Sequence, residues 1–427
     1  MAIVQTDATC RTTETSLGFY VALQSTGIVE IDFDPEKGIN ESLAIVAINT
    51  NAGFMPGWLI AFGDTIYSIS RTSPFGSDSD SGEVFAFRRT HLPKSNCNKI
   101  GLDRIAKASS NGKGGVHCDV SPDGKILAAA NITDSTLSIY PLSEDGAIGK
   151  IAHIFDYNQS DPGPIKAHPH QTIFDPTGRF LIVPLRTLDR IDIFCITDSQ
   201  QIERVQSISI PAPAGARHVA FNQITPGKVY MYLVSEKDNS VRVFSLNYTG
   251  AELRVLSLDL KQTLSTMGKD LGPSPDEHKD LAAEIAVSSD GRFVYVSNRH
   301  LTGMEADNLA IYSVDSEPSH DERHLTYLGS QPTQGKHPRM FALSNDEENK
   351  WVAVAHQFSQ DIVVFERDTV TGFLRDIKGR ISVKVATTHQ AIPDKVLFEP
   401  DVGMNGKIGR NHPLKGRTEG PVCVLWK

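Results

Sequence analysis

Apolar and polar residues alternate along most of this chain in short runs of about five to seven residues, broken by Pro/Asp/Gly turns. Five segments can be aligned with one another. They are VHCDVSPDGKILAAANITDSTLSIY from Val116, PHQTIFDPTGRFLIVPLRTLDRIDIF from Pro169, ARHVAFNQITPGKVYMYLVSEKDNSVRVF from Ala216, AEIAVSSDGRFVYVSNRHLTGMEADNLAIY from Ala283 and PRMFALSNDEENKWVAVAHQFSQDIVVF from Pro338. Each holds an apolar run, a turn, a second apolar run, a polar connection and a third alternating run. Asp-Gly and Thr-Gly between apolar runs signal hairpins, because glycine takes positive φ at no steric cost. The third runs (LSIY, IDIF, VRVF, LAIY, IVVF) place β-branched or aromatic side chains on alternate positions, as half-buried strands require.

The copies recur roughly every 50–65 residues, the length of a propeller blade with a long loop. A sixth, degenerate unit runs from Met55 to Phe87, and its PFGSDSDSGE stretch reads as an exposed loop. A seventh is split between GFYVALQSTGIVEIDFD near the N-terminus and VCVLW, Val422 to Trp426, at the C-terminus. Pairing the last strand with the first would close a ring and hide two sheet edges. The expectation is therefore an all-β, seven-bladed β-propeller forming one domain over residues 1–427, closed by its C-terminal strand. No long stretch has helical period. The segment 251–282 breaks the rhythm and is expected to form a short helix or an extended excursion.

Composition narrows the function classes. Apolar content of 40% and charged content of 22% fit an ordinary globular protein, neither disordered nor fibrous. A net charge of −9 argues against a nucleic-acid surface, and no apolar run reaches the roughly 18–20 residues of a membrane span. The five cysteines, Cys10, Cys97, Cys118, Cys195 and Cys423, lack zinc or redox spacing and read as buried thiols, with one disulfide left open. The chain as written reads as cytoplasmic. Four Asn-x-Ser/Thr sequons, at Asn40, Asn131, Asn158 and Asn247, point to secretion if a leader has been removed. Nothing in the pattern sets an oligomeric state.

The chemistry emerges where the repeats stop being equivalent. In each hairpin the start of the first strand and the end of the second lie side by side, opposite the turn. If the first strand is innermost, these positions from every blade converge on one mouth of the central channel. First-strand entries supply His117, His170, Arg217, Glu284 and Arg339. Second-strand exits supply Asn131, Arg186, Glu236, Arg299 and Gln357, with His356 beside the last. Each alone has a structural explanation, and Arg217 with Glu236 or Glu284 with Arg299 could be ion pairs within one hairpin. A ring of ionisable groups rich in arginine points instead to an anion-binding site with acid/base partners. A metal site on His168 and His170 competes, but the surrounding arginines would repel a cation. No Gly-x-Ser-x-Gly elbow supports covalent catalysis.

These repeats resemble the lactonase family of seven-bladed β-propellers, which includes 6-phosphogluconolactonase-type enzymes and the 3-carboxy-cis,cis-muconate lactonising enzymes (carboxymuconate cyclases). The resemblance runs from about residue 112 to 366, on HPHQTIFDPTGRFLIVP, GARHVAF, AEIAVSSDGRFVYVSNR and HPRMFALS with its following VAHQ. It implies His170, Arg217, Glu236 and Arg299 as catalytic residues, at the positions that match the cyclase branch. His117, His168, His218, Glu284, Arg339 and Gln357 are the expected substrate-binding residues. The paired His168-x-His170 is typical of the lactonase branch and favours hydrolysis of a carboxylated or sugar-acid-like lactone, without metal or other cofactor. The cyclase is the alternative, and a non-enzymatic scaffold for protein binding is the second. A phosphosugar lactone would favour lysines at the mouth, and the aligned positions carry none, so the unphosphorylated substrate is preferred.

Overall fold

The computed structural model describes residues 17–72, 80–89, 101–197, 201–249, 255–268, 281–299, 301, 304–315, 324–384 and 420–427. Cys10 and Cys97, and most of the PFGSDSDSGE loop, lie outside them. Seven four-stranded antiparallel sheets are arranged as blades. Their axial strands are Pro421–Trp426, Phe54–Phe62, Gly115–Val120, Ile173–Phe174, Ala216–Thr225, Leu281–Val287 and Pro338–Leu343. Each stands at the inner edge of its sheet and neighbours the next around the axis. All seven units of the sequence repeat are blades, and each has a fourth, outer strand that the repeat pattern did not reveal. The region expected as a helix or excursion contains one of these, Val255–Ser265. Apart from the buried Leu256, its side chains are exposed or half-exposed, so it carries little amphipathic signal to read. Among the described residues the one α-helix is the single turn Tyr157–Ser160, and no helix is long and apolar enough to cross a membrane.

The ring closes as the sequence predicts. Pro421–Trp426 pairs antiparallel with Leu17–Leu23, in a register that sets Trp426 opposite Phe19 and Val424 opposite Val21. The blades pack face to face through apolar clusters shared between neighbours. At the closure, Phe19, Val21, Val424 and Trp426 of the first blade meet Trp351, Ala353, Ile362 and Val364 of the seventh. The Trp426 ring meets Phe19 edge-on at 5.1 Å, and its indole N–H donates to the Ala342 carbonyl at 3.0 Å. Removing so large a buried side chain leaves a cavity. Trp426→Ala is expected to destabilise the fold by about 3–5 kcal/mol, measured as a shift of the guanidinium unfolding midpoint. A change below about 1 kcal/mol would mean that closure does not depend on this contact.

One turn device is repeated. In Ser121-Pro122-Asp123-Gly124 the Ser121 hydroxyl donates to Asp123 at 2.6 Å and accepts from the Ile126 N–H at 3.0 Å. Gly124 closes the turn at φ 73°, where a side chain would be strained. Asp175 with Thr177 and Gly178, and Ser288 with Asp290 and Gly291, repeat it. These turns fix the end of the hairpin remote from the mouth, so the register they set decides which side chains reach the mouth. Cys118 and Cys423 are buried free thiols, and Cys195 is a half-buried one. Of the four sequons, Asn131 is fully buried and bonded to the Ser110 carbonyl and Thr136 hydroxyl, so it cannot carry a glycan; Asn40, Asn158 and Asn247 are exposed.

Candidate active site

At the mouth end, six of the seven axial strands contain a β-bulge. The pairing skips Val422, Gly57, Val116, Arg217, the Ala283–Glu284 pair and Arg339. A bulge breaks the ladder and re-aims side chains. Arg217, Glu284 and Arg339 all stand at bulged positions, so the departure from regular pairing and the ionisable ring share one locus. The strands also approach closely here: a Cβ on Gly57 would stand 2.6 Å from the Gly115 carbonyl oxygen. The fourth blade reaches the same place differently. Its His168-Pro169-His170 segment makes only a single bridge, Pro169 to Leu185, since proline has no N–H for a ladder. His168 adopts φ 49°, the His170 N–H donates to the Pro184 carbonyl, and the Arg186 N–H donates to the His168 carbonyl.

Glu236 is the hub of a buried cluster. Arg186 grips its carboxylate with two bonds, Nε to Oε2 at 3.1 Å and Nη2 to Oε1 at 3.0 Å. Arg217 Nε lies 3.4 Å from Oε2, and Arg299 Nη2 lies 3.3 Å from Oε1. The three arginines come from three blades and are all buried with the glutamate. Further bonds run from Arg217 Nη1 to the Ala283 carbonyl at 2.7 Å and from Arg299 Nη2 to the Ala282 carbonyl at 3.2 Å. One carboxylate cannot neutralise three guanidinium groups, so the cluster is a fixed cationic well. Burial, together with the neighbouring Arg299, pushes the Arg217 pKa down to about 9, which leaves it charged at neutral pH.

A second line of groups runs beside the well. The Glu284 carboxylate holds His218 Nδ1 at 3.0 and 3.1 Å, and His218 Nε2 meets His170 Nδ1 at 3.1 Å. Burial, then Arg217, Arg339 and Arg299, hold the His218 pKa well below the usual histidine range, so its ring is neutral. Burial likewise lifts the Glu284 carboxyl to about 7 against the opposing pull of Arg217, Arg339 and Arg299. His117 packs against Trp58 at 4.2 Å and edge-on to His218 at 5.5 Å. Burial, and then His218 and Arg217, lower its pKa well below normal.

The structure therefore brings His117, His170, Arg186, Arg217, His218, Glu236, Glu284 and Arg299 together. Of the two ion pairs expected within single hairpins, Arg217–Glu236 forms; Glu284 takes His218 instead of Arg299. Arg339 reaches Gln357 at 3.5 Å, and Gln357 bonds Gln24 at 3.2 Å. His168 contributes backbone bonds to the mouth. Asn131 is tied into its own blade, and His356 turns to Asp361 at 2.9 Å. Sequence reasoning underrated Arg186, whose two-pronged grip depends on the irregular His168–His170 backbone. It also missed Trp58 and His337, the latter 3.4 Å from Arg299 Nη1. Both lie on mouth segments of their blades, but neither residue type stood out. Lys113, Lys166 and Lys336 stand on the connections one layer further out, and their ammonium groups turn to the Asp80 carboxylate, the Thr133 carbonyl and the Met304 carbonyl. The carbonyls of Lys113, Lys166 and Lys336 accept bonds from Thr133, Thr187 and Phe358, on the connections after the second strands. Among the described residues no group of three or more His, Cys, Asp or Glu is placed to hold a metal ion.

Comparison with known proteins places the chain in a family. A 6-phosphogluconolactonase of Formosa agariphila is 29% identical over 374 residues, spanning 86% of this chain and 95% of that protein. A 6-phosphogluconolactonase of Pectobacterium carotovorum is 31% identical over 263 residues, covering 61% of this chain and 69% of its own. Among solved structures, the periplasmic gluconolactonase of Pseudomonas aeruginosa shares the fold with a TM-score of 0.69 at 22% identity, over 86% of this chain and 97% of that one. Residues 14–391 match the family described as Lactonase, 7-bladed beta-propeller, and the chain belongs to that family.

Proposed function

We propose that the cluster hydrolyses the lactone of a sugar acid, with His170 as general base and the arginines as the oxyanion and carboxylate site. The hydrogen-bonded line from Glu284 through His218 to His170 carries this reading. With Glu284 ionised, His218 donates from Nδ1 to the carboxylate, which makes its Nε2 an acceptor. His170 then donates from Nδ1, and its Nε2 presents the lone pair that takes a proton from water. Attack on the lactone carbonyl builds negative charge on its oxygen, which Arg217 and Arg299 stabilise from fixed positions in a water-poor site. Glu236 acts as a positioning residue, since three guanidinium groups occupy its carboxylate. Arg339 and Gln357 contact the remaining hydroxyl or carboxylate groups of the substrate. The relatives named 6-phosphogluconolactonase support lactone hydrolysis. The relatives named 6-phosphogluconolactonase also keep a phosphorylated lactone in play beside the unphosphorylated one.

A pH-stat assay over phosphorylated and unphosphorylated sugar-acid lactones and carboxymuconates, with and without chelator, tests the proposal. Hydrolysis of a sugar-acid lactone that survives chelation is the expected result. Turnover of a muconate alone would establish the cyclase, and loss of activity with chelator would overturn the metal-free mechanism. Inactivity on the whole panel would favour a binding scaffold.

Glu284 makes the activity depend on pH. The line needs its carboxylate, so kcat should rise through pH 7. Stability runs the other way. A carboxyl whose folded pKa lies above its unfolded value stabilises the fold fully below about pH 4.3, and this contribution is lost as pH rises through about 7. Glu284→Gln should therefore unfold at a higher temperature than wild type at pH 8, with the gap closing at pH 5, while the kcat step at pH 7 disappears. Parallel melting curves for the two proteins would contradict the assignment.

A further inference from the structure

The axial channel holds a second feature that the hydrolytic site does not use. A cavity of about 770 Å³ runs from the turn face of the propeller to the middle of the axis. Exposed Asn345 and Glu347 stand at its outer end, and Trp58, His117 and Glu284 line it deep inside. Asp119 lines it as well, on the same axial strand as His117, and its Oδ2 accepts from the Phe174 N–H at 2.8 Å. Among the described residues, the titratable groups of its wall are Asp119, Glu284, Asp346, Glu347 and His117, with no lysine or arginine. The two ends of the axis thus have opposite character. The mouth carries Arg186, Arg217 and Arg299 around Glu236; the cavity carries carboxyl groups.

Glu284 belongs to both. It lines the cavity and also anchors the line to His170. We propose that this line and the cavity behind it form an exit route for the proton released by hydrolysis, from His170 through His218 and Glu284 to Asp119 and the turn face. The inference rests on the lactone-hydrolysis reading, whose stoichiometry demands such an exit. Water adds its oxygen to the carbonyl carbon and gives one proton to His170. The ring C–O bond breaks, and its electron pair leaves on the alkoxide, which takes that proton back from His170 to become a hydroxyl. The new carboxylic acid then ionises, and this second proton returns to His170 as the product becomes a carboxylate. One proton per turnover must therefore leave the base. The arginines and the bound product obstruct departure through the mouth, where a cation is repelled. Along the axis, His170 passes its Nδ1 proton to His218 Nε2, and His218 passes its own to Glu284; when Glu284 has released it, each ring turns over to return its remaining proton to the Nδ1 position and free the His170 lone pair for the next water. Waters in the polar part of the cavity carry it on to Asp119. Burial raises the Asp119 carboxyl to about 7, a value suited to accepting and releasing a proton near neutrality.

The test uses the full chain with a lactone substrate at low buffer concentration, where proton release can limit turnover. Asp119→Asn keeps an acceptor for the Phe174 N–H but cannot ionise. Its kcat in about 1 mM buffer should fall roughly 3–10-fold, with kcat/KM at saturating buffer close to wild type. The solvent isotope effect on kcat should grow, and added imidazole, which enters the mouth uncharged once the product has left and at high concentration overcomes the repulsion that a lone proton meets there, should restore the rate. Val287→Trp, plugging the cavity towards its turn end, should reproduce this behaviour without removing a carboxyl. Equal kcat for wild type and both variants in dilute buffer would overturn the route while leaving lactone hydrolysis intact, and so would a loss that imidazole does not relieve. A wild-type protein inactive on every lactone would remove the hydrolytic reading and the route with it.

Discussion

His170→Ala is expected to lower kcat for lactone hydrolysis by about 10²–10⁴-fold, the usual contribution of a positioned general base, while the protein keeps its fold. His170 ends the line that begins at Glu284, so its removal deletes the group that meets water and leaves the Glu284–His218 pair in place. The effect should fall on kcat more than on KM, because the arginines that hold the substrate are untouched. His218→Ala should give a smaller loss and a changed pH profile, as a positioning residue would. Pre-steady-state and steady-state rates with circular dichroism as the folding control would check both. Undiminished turnover by a folded His170→Ala protein would reassign the base and undo the mechanism.

Glu236→Gln is expected to damage both stability and activity. The substitution preserves shape but removes the carboxylate that Arg186, Arg217 and Arg299 share. Breaking a buried ion pair typically costs about 3–5 kcal/mol, because the partner charges stay desolvated and unpaired. Three such charges side by side put the loss at the upper end. The arginines would also repel one another out of alignment, with a fall in kcat of about 10²–10³-fold, as when an oxyanion donor is lost. Guanidinium denaturation and lactone kinetics measure the two effects, and formate, a carboxylate small enough to enter the well, should restore part of each. A variant as stable as wild type would show that Glu236 does not hold the arginines.

The architecture was legible because each blade repeats a physical requirement: alternating strands, a turn that only glycine, aspartate or serine chemistry closes, and an edge strand needing a partner. The outer strands were not legible, since each buries at most one or two apolar side chains, such as Leu256, Ile202 or Leu325, and leaves the rest exposed or half-exposed, which makes a weak pattern. At the mouth, the convergence of Arg217, Glu236, Glu284 and Arg299 followed from hairpin geometry alone. Their partners followed only in part: Arg217 and Glu236 pair within their hairpin, whereas Glu284 takes His218 and Arg299 turns to Glu236. Which carboxylate took which cation was decided by the bulges, because skipping one residue at Arg217 re-aims both that side chain and His218. A sequence pattern with period two has no means of marking such a skip. Asp119 escaped notice for another reason: its distinction lies in facing a cavity, and neither its type nor its spacing sets it apart from the aspartates of the turns.

The closing strand has a consequence for biosynthesis. The innermost strand of the first blade, Pro421–Trp426, is made long after its neighbour Leu17–Leu23. The circle cannot be completed until Pro421–Trp426 has left the ribosomal exit tunnel. Until then the Leu17–Leu23 edge lacks its hydrogen-bonding partner, and any premature stop before Pro421 would yield a horseshoe open to pairing with another copy of itself.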